Sequence, residues 1–87
     1  MIRNEDFLLR EVAGSQVLVP VGKAVGGFAG IITLNDSGIQ LWNALAIEQT
    51  TEQLAELLME KYAVSLEQAT LDAEKFVKNL QSVGAVK

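Results

Sequence analysis

The chain has 87 residues, with seven basic against eleven acidic side chains for a formal net charge of −4, and it contains neither cysteine nor histidine. One domain with a modest core fits that length, disulfides and thiolate metal sites are excluded, and the commonest general base is missing. An acidic chain is repelled by phosphate backbones unless its cations cluster, and Arg3, Arg10, Lys23, Lys61, Lys75, Lys78 and Lys87 are scattered.

A hydrophobic fraction of 49% with a single proline argues for a folded chain over a disordered one. Glu5 and Asp6 interrupt the N-terminal stretch, which lacks the apolar core of a signal peptide. No apolar run approaches the roughly 20 residues of a spanning helix. The expectation is a cytoplasmic protein with no membrane partner.

Phe7-Leu8-Leu9-Arg10-Glu11-Val12 reads as a first strand, Ala13-Gly14-Ser15 as a turn, and Gln16-Val17-Leu18-Val19-Pro20-Val21 as a second strand. A short connection containing glycine suits an antiparallel hairpin. Pro20 has no N–H, so it belongs near the strand end or where that group would be unpaired. Residues 22–30 form a glycine-rich connection that ends without the Gly-Lys-Ser/Thr of a phosphate loop and leads to a strand, so it reads as an inter-strand loop. Within it, Phe28 has two readings, packing over the sheet edge or marking a contact surface. A third strand is expected over residues 30–34, with Ile32 and Leu34 on one face and Ile31 and Thr33 on the other. Strands this short need helices as a lid.

Three helical patterns follow. The first covers residues 36–46, with Asn35 or Asp36 as cap and Ile39, Trp42 and Leu45 inward. The second covers residues 51–62, with Leu54, Leu57, Leu58 and Tyr62 on one face and the cap placed at Thr51, three positions before that stripe begins. Ser65 caps the third, with Gln68 at the capping-box position, and Leu66, Ala69, Ala73, Phe76, Val77 and Leu80 follow at helical spacing up to the terminator Gly84. The fold class expected is α+β, a three-stranded antiparallel sheet followed by three helices in one domain spanning residues 1–87.

Few residues carry chemistry. Trp42 and Tyr62 read as core anchors. Glu52, Glu56 and Glu60 recur four apart and read as a solvated face, or as a docking patch for a basic partner. Nothing brings two of Asp36, Glu48, Asp72 and Glu74 together in a cleft, and Lys75 and Lys78 balance nearby acids such as Asp72 or Glu74. Ser15, Ser37, Ser65 and Ser82 occupy turn or cap positions, and without histidine no ordinary triad can be built. The expectation is a protein that is not an enzyme and uses no cofactor or metal.

Leu34-Asn35, Gly38, Leu41-Trp42, Thr50 with Leu54, Tyr62, Asp72-Ala73 with Phe76-Val77 and Leu80, and the closing Gly84-Ala85-Val86 follow a common order and spacing. In that order the chain resembles the PqqD family, small proteins named for pyrroloquinoline quinone biosynthesis and the type case of the recognition element of ribosomal peptide modification. Two positions depart from the family pattern: Ala46-Ile47 stands for an Asp-Gly turn, and Asp72-Ala73 for Asp-Val.

The resemblance implies a winged-helix-like domain that binds the leader of a precursor peptide and presents it to a modifying enzyme, often a radical S-adenosylmethionine protein. The leader would add as a strand beside the third strand, in a groove bordered by the third helix. An edge strand exposes the unpaired N–H and C=O groups this requires. Either Ile31 and Thr33, or Gly30, Ile32 and Leu34, would turn their backbones to the guest. The expected peptide-binding residues are Ile31, Ile32, Thr33 and Leu34 of the strand with Lys75, Phe76 and Asn79 of the helix, Phe76 doubling as core and Lys75 meeting acidic leader residues. Two rival readings stand beside this one. The helical layout suits a winged-helix nucleic-acid binder, which the charge opposes. The open edge suits a module that pairs with its own copy as a homodimer.

Overall fold

Ala13 and Gly14 both take positive φ, 52° and 82°, and join β1 (Phe7–Val12) to β2 (Ser15–Pro20). The connection is therefore two residues long, one fewer than expected, because a turn with two left-handed residues matches the twist of the strands it joins. In the computed structural model, which describes residues 1–26 and 31–87, a 3-10 turn (Gly22–Gly26) follows β2. β3 (Ile32–Leu34) then lies antiparallel to β2, giving the order β1-β2-β3. The expected start of β3 at Gly30 falls outside the described residues, and Ile31 precedes the strand. Pro20 closes β2, and among the described residues it interrupts no ladder.

The register sorts side chains by face. Leu9, Leu18 and Ile32 stand in one row across the sheet, and Leu18 is fully buried. Phe7 and Leu34 join them on the helix side, while Leu8, Val12 and Thr33 look outward.

α1 (Asp36–Ala44) starts directly after β3 because Asn35 Oδ1 accepts the Gly38 N–H at 2.9 Å. It stops two residues earlier than expected: the Leu45 N–H is shared between the Leu41 and Trp42 carbonyls, and Gln49 Nε2 donates to the Ala44 carbonyl at 2.9 Å. α2 (Thr51–Lys61) is capped by Thr50, which corrects the placement at Thr51. Thr50 is the residue with a glutamine three positions on. Gln53 N–H donates to Thr50 Oγ1 at 3.1 Å and Thr50 N–H to Gln53 Oε1 at 2.8 Å. The helix ends at Lys61, with Tyr62 already extended.

α3 (Leu66–Ser82) is capped by Ser65, whose Oγ accepts the Gln68 N–H at 3.1 Å. The Gln68 side chain turns instead to Asp72 Oδ1 at 2.8 Å, so no reciprocal box forms. Leu66 is 60% exposed, against expectation. It is the first residue of the helix, and the buried stripe begins at Ala69. At the other end Gly84, at φ 80°, donates to the Gln81 carbonyl and Ala85 to the Leu80 carbonyl, the paired bonds of a Schellman ending.

Leu18, Leu45, Leu54, Ala69 and Ala73 are wholly buried where the sheet meets α1, α2 and α3. Trp42 is buried as expected, and Arg3 sits over its ring, 5.6 Å from the centroid, donating to the Trp42 carbonyl at 3.3 Å. The two ends of the chain pair with each other: Ile2 N–H donates to the Lys87 carbonyl and Lys87 N–H to the Ile2 carbonyl, at 3.1 and 2.8 Å, around an Arg3–Val86 bridge.

Candidate functional site

The hairpin fixes which way each backbone faces. In a two-residue turn the closing pair, here Val12 and Ser15, exchanges both hydrogen bonds, and such pairs then alternate along the ladder. The odd-numbered residues of β2 thus face β1, and the Val21 N–H, which donates to the Asp6 carbonyl at 2.7 Å, follows the same phase. Gln16 and Leu18 must face β3, where they oppose Leu34 and Ile32. Ile32 and Leu34 therefore spend their N–H and C=O groups on β2. Thr33 turns its own toward the outer edge of the sheet, where no further strand pairs among the described residues.

A groove runs from that edge. Its first recess, about 360 Å³, has Ile32, Thr33 and Leu34 on the sheet side and Phe76, Asn79 and Leu80 on the α3 side. Gly38 lies between them, in the first turn of α1. A Cβ there would stand 3.4 Å from Phe76 Cε1 and 3.2 Å from Asn35 Oδ1, so a side chain at that position would fill the floor. A second recess of about 260 Å³ shares Asn35, Gly38, Phe76 and Asn79 with the first and adds Lys75 and Asp72. A third, about 310 Å³, shares Asn35, Ser37, Leu58 and Asp72 with the second and ends against Tyr62 and Val64.

Six of the seven expected residues line this groove: Ile32, Thr33, Leu34, Phe76 and Asn79 together, with Lys75 in the adjoining recess. Ile31 is 54% exposed, just ahead of the strand. Phe76 is half-buried, packs against the core cluster and also lines the groove, so it serves both roles. Among the groove residues that the sequence reading missed are Asn35, Asp36, Gly38, Leu58, Tyr62 and Asp72. A glycine in the first turn of a helix was the available signal, since it lowers helix propensity unless space demands it. Phe28 and Gly30 lie outside the described residues.

The groove is chemically plain. Among the described residues no group of carboxylates is arranged to hold a metal ion, and no buried side-chain polar atom lacks a partner. Lys75 makes no ion pair; among those residues only the Met1 ammonium and Glu48 do so, at 2.6 Å. Glu52, Glu56 and Glu60 are all exposed along α2. Among the described residues no helix is long and apolar enough to cross a membrane.

The sequence pattern of the family described as coenzyme PQQ synthesis protein D (PqqD) matches residues 15–86. The chain belongs to the PqqD family. The matched span reaches from the start of β2 to the buried Val86, so it contains β3, α3 and every residue of the groove. As a PqqD-family domain it keeps the expected α+β layout of three strands and then three helices. A solved structure described as TbiB1 in complex with the TbiA(beta) leader peptide has a similar fold. The TM-score is 0.77 at 15% identity, over 100% of this chain and 95% of that one. No curated protein matches the sequence.

Proposed function

We propose that this PqqD-family protein is a non-catalytic adaptor. It binds the leader of a precursor peptide by strand addition at β3 and presents it to a modifying enzyme. The radical S-adenosylmethionine class is the partner that the family resemblance implies. The observation that carries the proposal is the outward-facing backbone of Thr33 beside a groove floored by Gly38 and Phe76. The leader peptide bound in the similar TbiB1 structure supports a peptide as the guest. On this reading Ile31, Ile32, Thr33, Leu34, Lys75, Phe76 and Asn79 are contact residues.

The energetics give side chains the larger share. Each added backbone hydrogen bond contributes about 1 kcal/mol net, and a micromolar complex requires about −8 kcal/mol. The few bonds a three-residue strand can offer leave most of that to the apolar recess of Ile32, Phe76 and Leu80. The test is titration of the leader segment of a short precursor encoded beside this gene. Micromolar binding is expected, and absence of binding to any neighbouring leader would overturn the proposal.

A further inference from the structure

The groove does not stop at β3. It passes the start of α1 and ends in the recess that Leu58, Tyr62 and Val64 line on its apolar side. Two carboxylates, Asp36 and Asp72, line the same recess, against the expectation that no two of the acids share a cleft, because the start of α1 lies beside α3; no lysine or arginine lines it. Gln68 occupies only one oxygen of Asp72, Oδ1. The partial positive charge of the α1 N-terminus would oppose a cation, but Asp36 sits on its first turn and Asn35 caps it. An apolar wall with an acidic lining complements one kind of side chain: a long aliphatic stem with a positive tip. Tyr62 adds an aromatic ring, which favours a cation further.

We infer that the far end of the groove selects a lysine or arginine of the guest peptide, flanking the segment that pairs with β3. Its methylenes lie on Leu58, Tyr62 and Val64, and its charge lies between Asp36 and Asp72. The inference deepens the proposed function and rests on it. It makes the recognised segment longer than β3 itself and gives it a charge requirement. In the middle recess Lys75 faces the opposite requirement.

The test needs no known leader. A displayed library of random peptides is selected on the immobilised protein, and one selected peptide is synthesised for titration. Selected sequences should share a basic residue at one fixed distance from an alternating apolar stretch. For that peptide, Asp72→Asn and Asp36→Asn should each weaken binding about threefold, and together about tenfold. Replacing the peptide's cation by norleucine should weaken binding to the wild type by the same total, yet change nothing further on the double variant. Two single variants are used because Asp72 also holds Gln68, so a loss of folding in one leaves the other to carry the comparison. Thr33→Pro separates the inference from its foundation. Binding that falls with Thr33→Pro but is unmoved by either aspartate change, or selected peptides without a shared basic residue, overturns the cation site and leaves the edge reading standing. Binding indifferent to Thr33→Pro, or no selected peptide, overturns both.

Discussion

Gly38 and Phe76 meet at the floor of the groove, where a carbon added to Gly38 would stand 3.4 Å from Phe76 Cε1. The same carbon would stand 3.2 Å from Asn35 Oδ1, which already accepts the Gly38 N–H and the Ser37 hydroxyl and so has little room to retreat. Gly38→Ala therefore gains about 1 kcal/mol of helix propensity and gives back a similar amount by loosening a cap worth about 1 kcal/mol. The expected outcome is a nearly unchanged urea midpoint together with weaker peptide binding, because the methyl group occupies the groove. A clear loss of stability at unchanged affinity would count against Gly38 as a floor residue.

The phase of the β2–β3 ladder predicts opposite results for neighbouring prolines. Ile32 faces β2, so Ile32→Pro leaves the Leu18 carbonyl without its partner and destabilises the fold by about 1–3 kcal/mol. Thr33 faces outward, so Thr33→Pro should leave the thermal transition within a few degrees of the wild type and remove peptide binding. Calorimetry and titration on the same two variants decide the matter. A Thr33→Pro protein that unfolds would show that the backbone assignment is inverted.

Thr50 and Thr51 differ in the same informative way. Thr50→Ala removes a cap that accepts the Gln53 N–H and should cost about 1 kcal/mol, while Thr51→Ala, in the first helical position, should change stability by less than about 0.5 kcal/mol. Chemical denaturation of both variants gives the comparison.

Which threonine caps α2 is a fair measure of what the amino-acid order reveals. Two adjacent threonines fit the apolar stripe equally well, and only the reciprocal bond from Gln53 separates them. Asn35 and Asp36 posed the same choice, resolved in favour of Asn35 by its bond to Gly38. The strands and the three helices were legible, since alternation and helical spacing carry them; that β3 lies beside Phe76 and Asn79 was implied only by the family resemblance. The direction of the Thr33 backbone was not legible. It depends on the exact length of a turn about twenty residues earlier, and shortening that turn by one residue inverts the phase. Leu66 misled because a leucine at the start of a helix matches the spacing without reaching the core. The pairing of the chain ends was invisible, since a bridge around Arg3 and Val86 is too short to leave a pattern.

Ala13 holds a positive φ of 52°, a conformation that asparagine tolerates better than alanine. Ala13→Asn creates the Asn-Gly pair favoured in such turns and should stabilise the domain by about 0.5–1 kcal/mol. A raised melting temperature with unaltered peptide affinity is expected, because the turn lies at the end of β1 and lines none of the three recesses of the groove.

Ile2 and Lys87 hold each other through a pair of backbone bonds, so the polypeptide leaves the fold where it enters. A domain wired this way can be spliced into a surface loop of a larger protein as readily as it can be fused at either end. In all three arrangements the tether begins at one point on the surface, at the same distance from the groove.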